Sequence, residues 1–338
     1  VYLPTTFRSV RRECAKEQVM NFATATKYLS ATGVCLAISC SDGTTTYTTP
    51  RVVMDDRDAA PSAASDAGLH RIGQDLVLET DPFTLEAGQE KYMCFTQKIP
   101  DAIKVHSYSK EKQPFLHHLV LATTVKEEAG GLQDCDATFQ LNWRPLFAAG
   151  AGKVDFAFPP GVVNAIDSGA QILVQLHLLN TSDHRITDFA KLVMATTDEE
   201  QTQPVLLAVF GNTNINLPPG QSTSLVTDCQ NPVTTRAVGF FPHMHMLGKS
   251  MTLEVGPDAD SLQTLFRRDP YDFNDQAIDA TDTMVTAGSH VRLTCNYDNT
   301  RQDTVTYGES SFDEMCFLMM FAVGAPTGCI TGSVPLTQ

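Results

Sequence analysis

Two all-β sandwich domains behind a small N-terminal module are the architecture this sequence predicts. Three observations carry the prediction. From residue 75 onward short alternating segments recur, closed by turns such as Leu217-Pro218-Pro219-Gly220, Pro159-Pro160-Gly161 and Asp298-Asn299-Thr300. Little of that stretch has the 3.6-residue period of an amphipathic helix. The chain has 338 residues, more than one core usually needs, which favours two domains over one.

The N-terminal module reads differently. Residues 6–30 suit a helix, with Phe7, Val10, Cys14, Tyr28 and Leu29 apolar and Gly33 placed to end it. Residues 34–40, the Asp42-Gly43 turn and the Thr-rich 44–49 read as a hairpin. Residues 55–68, rich in Asp, Ala and Ser, read as a linker. The strand-like segments that follow are 76–80, 171–179, 235–241, 250–255, 290–296 and 315–323. The polar stretch from Asp198 to Pro204 is the expected domain boundary. The expected layout is therefore 1–70 for the extra module and linker, 71–200 for a first sandwich and 201–338 for a second.

Composition narrows the function. With 42% hydrophobic and 19% charged residues the chain is neither collagen-like, coiled coil nor wholly disordered. Lys and Arg number 24 against 39 Asp and Glu, a net charge of −15. That balance excludes a nucleic-acid partner bound through a basic footprint. The longest nearly apolar run, Cys316 to Pro326, is too short to span a bilayer, so no transmembrane segment is expected. Nine cysteines are dispersed with no CxxC pair, which disfavours zinc ribbons and thioredoxin-type motifs. Dispersed cysteines fit structural disulfides in an oxidising compartment, and buried free thiols in a cytosolic protein are the alternative. The expected location is secreted, periplasmic or otherwise extracytoplasmic, with the signal segment absent from this chain.

Five histidines sit in strand-like apolar settings. On a strand, residues i and i+2 share a face. His243 and His245 in Phe241-Pro242-His243-Met244-His245-Met246 therefore point one way, at a spacing that suits a metal. His117 and His118 are adjacent, so both reach one ion only if the strand is twisted or bulged there. Spacing alone favours one ligand and one structural histidine. Gln175 and His177 share a face, opposite Ile172, Val174, Leu176 and Leu178, and a lone strand histidine is more often core than ligand. Met315, Phe317 and Met319 would share a strand face with Cys316 opposed, and core packing is the ordinary role of such a methionine. His70, His106, His184 and His290 match no ligand spacing and read as surface or hydrogen-bonded groups.

Taken in order, these segments resemble the copper type II, ascorbate-dependent monooxygenases, the family of peptidylglycine α-hydroxylating and dopamine β-monooxygenases. The matching motifs are Tyr92-Met93-Cys94-Phe95, His117-His118, Gln175-Leu176-His177, His243-Met244-His245 with Leu247-Gly248-Lys249, and Asp313-Glu314-Met315-Cys316, spanning about residues 75–338. The resemblance implies two jelly-roll sandwiches, each holding one copper across a solvent-filled cleft. It assigns His117, His118 and His177 to an electron-transfer copper. It assigns His243, His245 and Met315 to the copper where oxygen binds and a C–H bond is attacked. It thereby overrides the single-ligand reading at 117–118.

The ligand chemistry agrees, since imidazole suits copper and a thioether favours Cu(I). A His₂Met set is a poor zinc site, and three ligands leave an open position. The resemblance further implies Cys295–Cys316, Cys94–Cys135 and Cys229–Cys329 bonds. Cys14, Cys35 and Cys40 lie outside it, with their pairing open.

The chain also departs from the family. Where the peptide-amidating branch has an Arg before the HxH pair, this chain has Phe241; where it has an Asn and a Tyr beyond the ligand Met, this chain has Phe317 and Met319. Gln175 is the polar neighbour retained. An ionised carboxylate needs polar partners, so the expected substrate is an apolar small molecule or peptide side chain rather than a C-terminal glycine. No carboxylate marks an obvious anchor for an amine. The expectation is a monooxygenase using O₂, two coppers and ascorbate or another one-electron reductant. A copper carrier retaining both sites is the alternative, and a double sandwich with vestigial sites a third reading.

Overall fold

The computed structural model describes residues 67–333 except 114, 137–139, 141 and 325–327. The expected N-terminal helix and hairpin, most of the linker, and Cys14, Cys35 and Cys40 lie outside the described residues. The described residues fall within one compact unit. The described residues are all-β, with strands in several sheets and no helix.

Two hydrophobic clusters organise these strands. The first draws Phe95, Leu119, Phe147, Val174 and Leu176 from a five-stranded sheet. It packs them with Leu78, Val105, Tyr108 and Met194 from one end of an eleven-stranded sheet. The second packs Phe210, Phe240, Leu318 and Met320, from the other end of that sheet, with Leu253, Val291 and Leu293 of a four-stranded sheet. The long sheet is continuous because Val162 and Val163 pair in parallel with Gln203 and Pro204.

Two strands of the long sheet, Thr235–His243 and Phe317–Val323, bury both faces. Side chains alternate across a strand. Leu318, Met320 and Ala322 therefore enter the second cluster, while Phe321 enters the first and Met319 packs on it. Phe240 and Phe241 divide in the same way. Double burial explains why these strands read as near-continuous apolar runs.

The expected strand at 171–179 forms over Gln171–Leu179. The one expected at 235–241 runs on to His243, and that at 290–296 runs to Asn299. The one expected at 315–323 begins at Phe317, so Met315 and Cys316 precede the strand. His245 likewise lies beyond the end of its strand. Cys94–Cys135, Cys229–Cys329 and Cys295–Cys316 are joined as disulfides. Among the described residues no helix is long and apolar enough to cross a membrane.

Candidate metal centre

Local strand geometry gathers the first three histidines. His177 lies opposite His118 across the antiparallel Gln171–Leu179 and Leu116–Thr124 strands, and the next pair is Leu178 with Leu116. His117 is the extra residue of a bulge. A bulge re-aims a side chain, and here it brings adjacent histidines to one place: the ligating nitrogens of His117, His118 and His177 lie within 4.8 Å of one another. All three are buried.

The second group forms where the Thr235–His243 strand ends. The turn that follows is held by Glu314, a fully buried carboxyl. It accepts hydrogen bonds from the backbone N–H groups of His245 at 3.0 Å, Leu247 at 2.6 Å and Met315 at 3.3 Å. Burial pushes its pKa up to about 7, against the lowering effect of those bonds. The same carboxyl thus ties the HxH turn to the methionine. Tyr297 donates to the Met315 carbonyl at 2.6 Å, and the Cys295–Cys316 disulfide anchors the next residue. Tyr271 donates to the Met244 carbonyl at 2.7 Å and accepts from the Met244 N–H at 2.9 Å. Met244 itself points into the second cluster.

Hydrogen bonds fix which nitrogen is free on three of the rings. Glu90 accepts from His177 Nε2 at 2.7 Å. Gln276 Oε1 accepts from His243 Nδ1 at 2.8 Å, and the Asp313 carbonyl from His245 Nδ1 at 3.2 Å. The remaining nitrogens, His177 Nδ1, His243 Nε2 and His245 Nε2, are buried without partners, as are His117 Nε2 and His118 Nδ1. Burial holds His117, His118 and His245 well below the usual imidazole range and His243 down to about 4, with their mutual proximity adding to it. Five neutral imidazoles each present an unsatisfied lone pair. Buried acceptors of this kind are costly, and outer partners on the opposite ring nitrogen are the usual arrangement around a ligated metal. The donor set therefore fits copper.

Glu90 also joins this site to the loop before Met315. It accepts from Ser310 Oγ and from the Ser311 N–H, both at 2.7 Å. Burial opposes its ionisation, but the hydrogen bonds from His177, Ser311 and Ser310 prevail and bring its pKa down to about 2. Tyr92, on the same strand face as Glu90, stacks on His177 at 4.2 Å and donates to the Glu309 carbonyl at 2.8 Å. From the other side Phe273 stacks on His117 at 4.2 Å. The segment carrying Phe273 and Gln276 approaches closely because Gly150, the strand partner of His118, has no side chain: a Cβ there would collide with Gln276.

The two histidine groups are in contact, not separated by the solvent-filled cleft that the sequence comparison implies. The ring centroids of His118 and His243 are 4.9 Å apart. Beside them is a cavity of about 300 Å³. Phe241, Phe317, Met319 and Gln175 all line it, together with His118, His243 and Met315. Strand register explains the wall. Met319 is paired with Phe241 on one side and Val209 on the other; Phe317 is paired with His243 and Gly211. Met315 reaches the same space from outside the strand.

Glu309 and Tyr307 also line this cavity, 3.2 Å apart, and burial pushes Glu309 up to about 7. Glu309 is a carboxyl that the sequence reading did not place near the substrate position, and a loop delivers it to the cavity. Sequence reasoning also missed Glu90, Gln276 and Glu314. Alternation from Tyr92 could have flagged Glu90, and Glu314 sits inside the Asp313–Cys316 motif. Gln276 carries no local signal. His184 pairs with Asp183 and His290 with Asp228, and neither of them, nor His70 or His106, belongs to the two histidine groups.

Comparison with known proteins adds a family match over part of the chain. Residues 203–331 match the copper type II ascorbate-dependent monooxygenase C-terminal domain. No curated protein matches the chain. Among solved structures, a PBCV-1 virus capsid quasi-atomic model is similar at 8% identity and a TM-score of 0.24, covering 75% of this chain and 94% of that one. An infectious bursal disease virus VP2 subviral particle is similar at 8% identity and a TM-score of 0.20, covering 78% and 74%. Likenesses at these scores carry no assignment.

Proposed function

Because residues 203–331 match the C-terminal domain of the copper type II ascorbate-dependent monooxygenases, we propose that the whole chain is a secreted or otherwise extracytoplasmic copper monooxygenase that hydroxylates a C–H bond of an apolar substrate. The overall change is R–H + O₂ + 2 e⁻ + 2 H⁺ → R–OH + H₂O, with ascorbate or another one-electron donor as reductant. Two coppers are proposed: one for His117, His118 and His177, the other for His243, His245 and Met315. Copper supplies the one-electron and O₂ chemistry when bound. Two jelly-roll domains, 71–200 and 201–338, are proposed behind the 1–70 module, with Val205, Val238, Phe241 and Phe321 of the second packed into the first cluster.

The chain's own residues supply the rest. Glu90 and Gln276 orient His177 and His243 with lone pairs inward. Glu314 sets the relation of His245 to Met315. Phe241, Phe317 and Met319 exclude water from the substrate position and receive its apolar body, with Gln175 as the polar contact.

The observation that carries this reading is that the cavity holding those four residues also includes His243 and Met315. Among the described residues its wall includes no Lys or Arg to meet a substrate carboxylate, which argues against peptide amidation. Glu309 favours a second substrate reading, an apolar body bearing a cationic amine; no preference for amines over neutral analogues in the intact protein would exclude it, and amine selectivity retained in Glu309→Gln would remove Glu309 as the anchor.

The test is mass spectrometry under ¹⁸O₂ with reduced, copper-loaded protein. Copper-dependent gain of one ¹⁸O by a neutral hydrophobic substrate is expected. Copper bound at both sites with no oxygen transferred would favour a copper carrier. Efficient turnover of a glycine-extended acyl peptide, lost on capping its carboxylate, would overturn the pocket reading.

A further inference from the structure

The overall change proposed above consumes two protons. One oxygen atom of dioxygen enters the product and the other leaves as water, so protons must reach oxygen inside the cavity. Phe241, Phe317, Met319, Leu207, Val209 and Ile330 make much of the wall, and none of them can donate a proton. Among the described residues Glu309 is the one Asp or Glu that lines the cavity, which it shares with His243 and Met315.

The backbone around Glu309 is pinned on both flanks. Its carbonyl accepts from Tyr92 Oη at 2.8 Å, and Glu90 holds Ser310 and Ser311 at 2.7 Å each. On the other flank the Gly308 N–H donates to the Glu314 carbonyl at 3.3 Å, and the Glu314 N–H to the Thr306 carbonyl at 3.0 Å. The Glu309 carboxyl carries a lighter load: Oε1 accepts from Tyr307 Oη at 3.2 Å, which leaves Oε2 to carry a proton. The other carboxyls of this region are committed elsewhere, Glu314 to three backbone N–H groups and Glu90 to His177, Ser310 and Ser311. Glu309 and Tyr307 are both half-buried, so solvent reaches the pair.

We propose that Glu309 is a general acid of the reaction: its carboxyl gives a proton to the oxygen atom that leaves as water, and Tyr307 relays a replacement from solvent. The inference rests on the monooxygenase reading above. In this step the Glu309 O–H bond breaks, its electron pair stays on the carboxylate, and an O–H bond of the released water forms. Tyr307 Oη then passes its proton to the carboxylate and takes another from solvent, so both residues end the cycle unchanged. The reductant supplies both electrons, and solvent supplies the second proton. Burial holds Glu309 up to about 7, with the Asp313 charge adding to it against the hydrogen bond from Tyr307. An acid so placed ionises near neutral pH, where proton donation is most effective. The titratable groups that face it are Tyr307 and Asp313 of its own segment, Tyr92 of the Glu90–Lys98 strand, and His118 and His243 across the cavity. Burial pushes both tyrosines further above neutrality, so Tyr307 relays but does not replace the acid.

The test compares the intact chain with Glu309→Gln and Glu309→Asp, copper-loaded and reduced, on a neutral hydrophobic substrate under ¹⁸O₂. A neutral substrate removes any part that Glu309 plays as an amine anchor. Glu309→Gln should lower kcat by about 100-fold or more with KM within about twofold, and Glu309→Asp should recover part of the loss. In the intact chain kcat/KM should fall on the alkaline side as the acid ionises, and Glu309→Gln should lack that limb. Infrared difference spectra of metal-free protein, intact minus Glu309→Gln, should show the carbonyl band of a protonated carboxyl that fades as pH rises through about 7. Full turnover by Glu309→Gln with the same alkaline limb, or a difference spectrum without that band, overturns the proposal. Copper bound by the intact chain with no ¹⁸O transferred overturns the monooxygenase reading as well; turnover that Glu309→Gln leaves unchanged overturns only the general acid.

Discussion

Phe241 and Met319 face each other across paired antiparallel strands, with Val209 on the far side of Met319. This row of three apolar side chains is the floor of the cavity beside His243 and Met315. Because Phe241 is 2% exposed, Phe241→Ala should lower unfolding free energy by about 3 kcal/mol, the lower end for such a truncation since the site already borders a cavity. In a series of neutral substrates each added methylene that fits should tighten binding by about 0.8 kcal/mol. Equilibrium dialysis across the series, with and without the substitution, checks both the wall and its size. No dependence on chain length would remove Phe241 from the substrate's path.

Glu90 orients His177 and ties it to Ser310 and Ser311. Glu90→Gln keeps the shape but can present an N–H where the carboxylate accepts. Copper affinity at the His177 site should fall about 10–100-fold. The electron paramagnetic resonance parameters of that copper should shift as well, which a loss of packing alone would not cause.

Metal-free protein should have a stability that depends on pH in a predictable direction. His243 titrates at about 4 in the fold against an ordinary 6.5, and His117, His118, His177 and His245 are also lowered. Between these values the unfolded chain binds more protons, so stability rises with pH up to about 6.5 and is lost on acidification. Glu309 and Glu314 act oppositely: raised to about 7 from 4.5, they bind more protons when folded, and their contribution is lost as pH rises through 7. The histidines outnumber them, so the midpoint of thermal unfolding should fall from pH 6.5 to 5. Copper loading should raise the midpoint at pH 6.5, where the neutral imidazoles can ligate. A flat midpoint in the apoprotein would mean that these rings are not buried neutral.

The Cys295–Cys316 bond closes a 21-residue separation immediately after Met315. Replacing both cysteines by Ala should cost about 2–4 kcal/mol and loosen the thioether. Peptide mapping without reduction verifies the bond, and denaturant unfolding measures the loss. Free thiols at both positions would leave Met315 positioned by Glu314 and Tyr297 only.

The fold class was legible because alternation and turns recur from residue 75, and doubly buried strands such as Phe317–Val323 still carry a strong apolar signal. The proximity of His117 and His118 at one centre was not, because spacing cannot announce a bulge; the motif order overrode it. The closeness of the two histidine groups was also hidden, since it depends on Gly150 admitting Gln276 and on Glu90 meeting Ser310 across 220 positions of sequence. Glu309 escaped notice for the same reason: a loop side chain has no periodicity to reveal which cavity it enters.

X-ray absorption at the copper edge of the fully reduced protein tests the account most directly. A thioether on the copper held by His243 and His245 predicts a Cu–S component in the intact chain, lost in Met315→His with copper still bound. A reduced protein that binds copper at His243 and His245 with no sulfur scattering would contradict it.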